Sequence, residues 1–157
     1  MMHESQRYAA IIIDKILGGT NLDIAFENVF RDVKGLEHKS QTKALTYGAL
    51  RYMGQSKYLI ESLVRKKIEN RLVESLIHVA LFQLSFESHS DFTIVDQAVE
   101  ATKKIDLRKS NFVNAVLRNF LRNKDALTKG FLNQEEGQFN YPIWWIQKVK
   151  KQYKSDW

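Results

Sequence analysis

The 157-residue chain has no cysteine, which excludes disulfides, thiolate metal sites and a cysteine nucleophile. It also fits a reducing compartment. Proline occurs once, at Pro142, and glycine only 7 times, so helix breakers are few and helices are expected. No run of about 18 apolar residues exists that could span a membrane as a helix. The stretch "YAAIIIDKIL" is interrupted by Asp14 and Lys15, and is too short and wrongly flanked for a signal peptide. The cytoplasm is the expected location. His3, His38, His78 and His89 are scattered without metal-ligand spacing, so no metal is expected. No glycine-rich nucleotide loop follows a strand, and neither G-x-S-x-G nor H-E-x-x-H occurs. A stand-alone active site is therefore not expected.

What is present is a 44% hydrophobic chain long enough for one domain with a real core, and a net charge of +6. The charge is unevenly spread. Residues 1–37 carry −2, residues 38–72 carry +6, residues 73–107 carry −4 and residues 108–157 carry +6. Two basic blocks that meet in space would form a patch that attracts polyanions and releases their counterions. A soluble basic surface without a partner is the alternative.

Helical spacing of apolar residues recurs along the chain. The first helix runs from about Ser5 to Leu17 and ends at Gly18-Gly19. The second starts behind Asn21 as N-cap, uses Leu22, Ile24, Ala25, Val29 and Phe30, and stops near Gly35. The third, about Lys39 to Met53, uses Ala44, Leu45, Tyr47, Gly48, Leu50 and Met53, with Gly48 permitting a close crossing. The fourth follows Gly54 with Ser56 as cap. The fifth, about Asn70 to Phe86, is apolar most of the way round and so belongs at the centre of the bundle, with His78 as a satisfied core histidine. The sixth, "IVDQAVEATKK", is capped by Thr93, and the seventh, "SNFVNAVLRNFLR", by Ser110. "NKDALTKGFLNQEEGQFN" is polar and reads as a linker. Pro142 then suits the first turn of a further helix containing Trp144 and Trp145. That helix either begins something that continues past Trp157 or folds back on the bundle. No strands are expected: the fold class is all-α, a bundle of about seven helices plus a tail.

The seventh helix carries the chemistry. Phe112, Val113, Val116, Leu117, Phe120 and Leu121 form one side, while Asn111, Asn114, Arg118 and Arg122 share another arc. Asparagine bonds base edges and 2′-hydroxyls; arginine forks onto phosphate or stacks on a base. Arg108 and Lys109 lie before the free N–H groups of the helix start, where an anion would sit. Lys103 and Lys104 end the sixth helix nearby, and Phe112 is placed to stack on an unpaired base. The bland reading stands beside this one. The asparagines then serve neighbouring backbone, Arg118 pairs with Glu100, and Phe112 is core.

The segments "LTYGALRY" (45–52), "HVALFQLSF" (78–86), "TIVDQAVEATKK" (93–104) and "KSNFVNAVLRNFLR" (109–122) together resemble the NusB-type RNA-binding domain over about residues 5–123. "FVNAVLR" after "VDQAVE" is the most specific part. "NYPIWWIQKVKKQY" is similar to the segment that joins this domain to the catalytic domain of Sun/Fmu (RsmB-like) ribosomal RNA cytosine-5 methyltransferases. The resemblance implies a NusB-like bundle over residues 1–124 and, over 125–157, a linker leading to a methyltransferase domain absent from the sequence. It implies small-subunit rRNA as partner, together with the methyltransferase domain of the same polypeptide. It also implies S-adenosylmethionine as cofactor of that domain, with none in this chain. Phe112, Asn114 and Arg118 match the RNA-facing motif directly. Arg51 matches a motif position, and Arg7 falls in what is usually a more basic first helix. Without cysteine, the chain cannot supply that mechanism's catalytic cysteines. Two other readings stay open: a free-standing antitermination factor, regulating transcription by binding RNA with a ribosomal protein, and a protein-interaction domain without RNA binding.

Overall fold

A computed structural model describes residues 1–31 and 36–131. Among the described residues there are eight α-helices and no strand: α1 (Met2–Leu17), α2 (Leu22–Phe30), α3 (Leu36–Arg51), α4 (Met53–Leu63), α5 (Arg71–Phe86), α6 (Asp91–Ile105), α7 (Ser110–Arg122) and α8 (Lys124–Phe131). The all-α bundle expected from the sequence is the fold. Pro142, Trp144, Trp145 and the helix expected around them lie outside the described residues.

α5 packs against α1, α3, α4, α6 and α7. It is central because its apolar residues leave no solvent face, and Val73 to Leu81 are buried almost without interruption. One main core joins Ile77 and Leu81 of α5 to Ile94 and Ala98 of α6 and to Leu117 and Phe120 of α7. One polar pair crosses the interior: Gln6 Nε2 of α1 donates to Gln83 Oε1 of α5 at 2.7 Å. This bond is buried and fixes the register of two helices that apolar contacts alone would let slide.

Local capping chemistry sets several boundaries. Asn21 Oδ1 accepts from the Asp23 N–H at 2.8 Å, and Asn70 Oδ1 from the Leu72 and Val73 N–H groups at 3.0 and 3.1 Å. α1 ends in a Schellman motif: Thr20 N–H donates to Lys15 O, Gly19 N–H to Ile16 O, and Gly19 adopts φ 102°. Gly48 is required by packing, since a Cβ there would run into the Phe82 ring.

Other expectations are corrected. Ser56 caps nothing: it is buried inside α4, where its Oγ meets the Met53 carbonyl and His78 Nδ1. α6 is capped three residues earlier than expected, by Ser90, whose Oγ accepts the Thr93 N–H at 3.1 Å. α3 buries Thr42, Leu45, Thr46 and Ala49, whereas Tyr47 and Ala44 face outward and Ile24 of α2 is exposed. The Thr46 hydroxyl bonds the Thr42 carbonyl at 2.8 Å and needs no outside partner, whereas the buried Thr42 hydroxyl has none among the described residues. The polar stretch read as a linker begins with α8, which packs against α4 and α7 and adds Leu127 to the main core.

Candidate nucleic-acid interface

α7 buries Val113, Val116, Leu117 and Phe120, and this stripe fixes which way the opposite arc points. Asn111, Arg118 and Arg122 are exposed and Asn114 is half-buried, so the four share the outer surface. Arg118 Nε donates to Asn114 Oδ1 at 3.0 Å, one turn away. That bond replaces the expected pairing of Arg118 with Glu100, whose carboxylate is held by Lys103 Nζ at 3.0 Å. Neither Asn111 nor Asn114 bonds a backbone group among the described residues. The guanidinium is thus tethered through one nitrogen, leaving its fork without an acidic partner there.

The start of α7 differs from expectation. A 3-10 turn, Leu107–Lys109, runs directly into the helix. The N–H groups of Arg108, Lys109 and Ser110 are taken by Asp106 Oδ1, Asp106 O and Leu107 O. Ser110 is not the cap; its hydroxyl donates to the Leu107 carbonyl at 3.0 Å. Arg108 folds back onto Asp106 at 3.2 Å, and its hydrogen bond holds the half-buried carboxyl below the usual carboxylate range. These three N–H groups are therefore satisfied internally, beside the Asp106 carboxylate. Lys103 and Arg108 are likewise engaged, while Lys104, Lys109 and Arg122 have no acidic partner among the described residues.

Phe112 is half-buried: it packs against the main core and also lines a groove with Val64, Lys66, Lys67, Ile68, Glu69 and Lys109. Lys66 and Lys67 were not singled out from the sequence. They belong to the first basic block, and the α4–α5 loop carries them to the start of α7, where the second block begins. The two blocks do meet. A side chain with an apolar ring, flanked by three lysines, can stack a base while the cations hold its phosphates.

Arg51 lies across the bundle, exposed, lining a shallow apolar hollow with Gly48, Tyr52, Phe82 and Phe86. Arg7 is half-buried, with its guanidinium 5.0 Å from the Tyr8 ring. His78 is 3% exposed, and burial followed by the charge of Lys57 pushes its pKa down to about 4, so the ring is neutral near pH 7. No helix among the described residues is long and apolar enough to cross a membrane.

The NusB family pattern matches residues 3–122. Similar curated proteins include the "Probable ribosomal RNA small subunit methyltransferase B" of Coxiella burnetii, 30% identical over 126 residues, covering 77% of this chain and 29% of that protein. "Ribosomal RNA small subunit methyltransferase B" of Escherichia coli is 31% identical over 124 residues, covering 76% and 28%. The Vibrio cholerae protein of the same name is 26% identical over 142 residues, covering 88% and 32%. The matched part of these relatives is N-terminal, and the chain spans less than a third of their length. With an all-helical fold and residues 3–122 of 157 matched, the chain belongs to the NusB family.

Proposed function

We propose that this domain binds small-subunit rRNA and positions it for a methyltransferase domain of the same polypeptide. Methyl transfer and its S-adenosylmethionine belong to that domain on this reading; the residues in hand hold and orient RNA. The observation that carries the proposal is the convergence of both basic blocks on one face. There, Lys66, Lys67 and Lys109 flank the half-buried Phe112, and the Asn–Arg arc of α7 continues the surface. Likeness to proteins named as rRNA methyltransferases supplies the RNA class.

The chemistry fits single-stranded or looped RNA, whose bases can leave the stack and lie on an aromatic ring. The test compares the wild-type chain with Arg118→Ala and Arg122→Ala for affinity to an rRNA fragment at two salt concentrations. Each variant is expected to weaken binding and to lower the log–log salt slope by about 1 per lost phosphate contact. An unchanged affinity and slope in both would remove α7 from the RNA surface.

A further inference from the structure

On the far side of the α4–α5 loop from Phe112 lies a second cavity of about 400 Å³. Val64, Lys66, Lys67 and Ile68 line both it and the Phe112 groove, so a strand crossing the loop passes from one to the other. His78 helps line this cavity although its ring is 3% exposed. Its Nδ1 is engaged by Ser56, and its Nε2 bonds no group among the described residues. Nε2 is not among the fully buried unpaired atoms, so although the residue is almost wholly buried this nitrogen opens on the cavity, where a ligand or water can meet it.

The lining says what that ligand is. Lys57, Arg65, Lys66 and Lys67 supply cations, which suit a phosphate. A bare anion, however, would face the carboxylates of Glu61 and Glu74 and the apolar wall of Ile60, Val64 and Ile68. A nucleotide satisfies all three. Its base has apolar faces for the aliphatic wall, and its edge carries N–H donors for a carboxylate, as cytosine N4 does. The volume lies within the range of small-ligand pockets, roughly 300–1,000 Å³.

We propose that this cavity is a nucleotide subsite, taking one unpaired base of the bound RNA between Ile60, Val64 and Ile68 with its edge on His78 Nε2, while Lys66 and Lys67 hold its phosphate. The inference rests on the RNA-binding reading above and extends the RNA path from α7 across the α4–α5 loop to α5.

The test uses the whole chain, uniformly labelled with ¹⁵N, and a short single-stranded oligoribonucleotide as probe, with inorganic phosphate as control. Backbone resonances of Asn114 and Phe112 report α7, and the His78 ring nitrogens report the subsite. The oligonucleotide is expected to shift both, inorganic phosphate neither. Lys57→Ala and Lys67→Ala, both exposed positions, should weaken oligonucleotide binding several-fold without changing the fold. Shifts at α7 with His78 unmoved would overturn the subsite and leave the RNA-binding reading intact. The same His78 shift with inorganic phosphate alone would overturn it in favour of a simple anion site. No binding of the oligonucleotide at all would remove both readings together.

Discussion

His78 shows how one buried side chain couples the core to solution conditions. Its pKa falls from 6.5 to about 4, first because burial disfavours the charged ring and then because Lys57 repels the proton. A depressed folded value means the unfolded chain takes up the proton first as pH falls. The stability contributed by keeping the ring neutral is complete above about pH 6.5 and is lost progressively down to about pH 4, on the order of 3 kcal/mol in all. A His78→Gln variant should lack this component. The difference in unfolding free energy between wild type and variant, followed by denaturant titration, should shrink as pH drops from 7 to 4; a constant difference would mean that His78 titrates normally. A second residue-scale prediction concerns Gly48. Alanine gains about 1 kcal/mol of helix propensity, but its Cβ would displace the Phe82 ring, an overpacking cost of about 1–3 kcal/mol. Gly48→Ala should therefore destabilise the bundle in thermal melts, and adding Phe82→Leu should recover part of the loss.

Helix boundaries were legible where one side chain settles them. Asn21, Asn70 and the Gly18-Gly19 pair act on backbone groups within three residues, so sequence alone places the ends of α1 and the starts of α2 and α5. Thr93 misled because its own N–H is the group capped, by Ser90, and the two hydroxyls bond each other at 2.7 Å. Ser56 misled because its partner, His78, is 22 residues away and no local pattern shows it. α8 was missed because its sequence is polar and its docking rests on few apolar groups, Leu127 among them. Asn70→Ala should cost about 1 kcal/mol, the usual loss of a good N-cap. Leu127→Ala, at a half-buried position, should cost less than the 2–5 kcal/mol of a fully buried leucine. If Leu127→Ala leaves the melting temperature unchanged, α8 is not a stabilising part of the bundle.

At the scale of the molecule, the sequence disclosed that two basic blocks exist but not that they meet. Charge is a local property of the chain, whereas their meeting depends on the α4–α5 loop arriving beside the 3-10 turn before α7. The polar arc of α7 was readable from its periodicity, and Asn111, Arg118 and Arg122 do lie outward. The internal bonds of Arg108 and Lys103 were not, because each depends on which rotamer finds a nearby carboxylate. The resulting surface runs from the cavity at His78, over Lys66 and Lys67, past Phe112 and along α7 to Arg122. Its central claim is that this face, and not the hollow around Arg51, meets RNA. Photocrosslinking of the whole chain to a small-subunit rRNA fragment, with the crosslinked peptides mapped, tests it most directly. Crosslinks should fall within residues 64–70 and 109–122; crosslinks confined to peptides containing Arg51 or Phe86 would contradict the account.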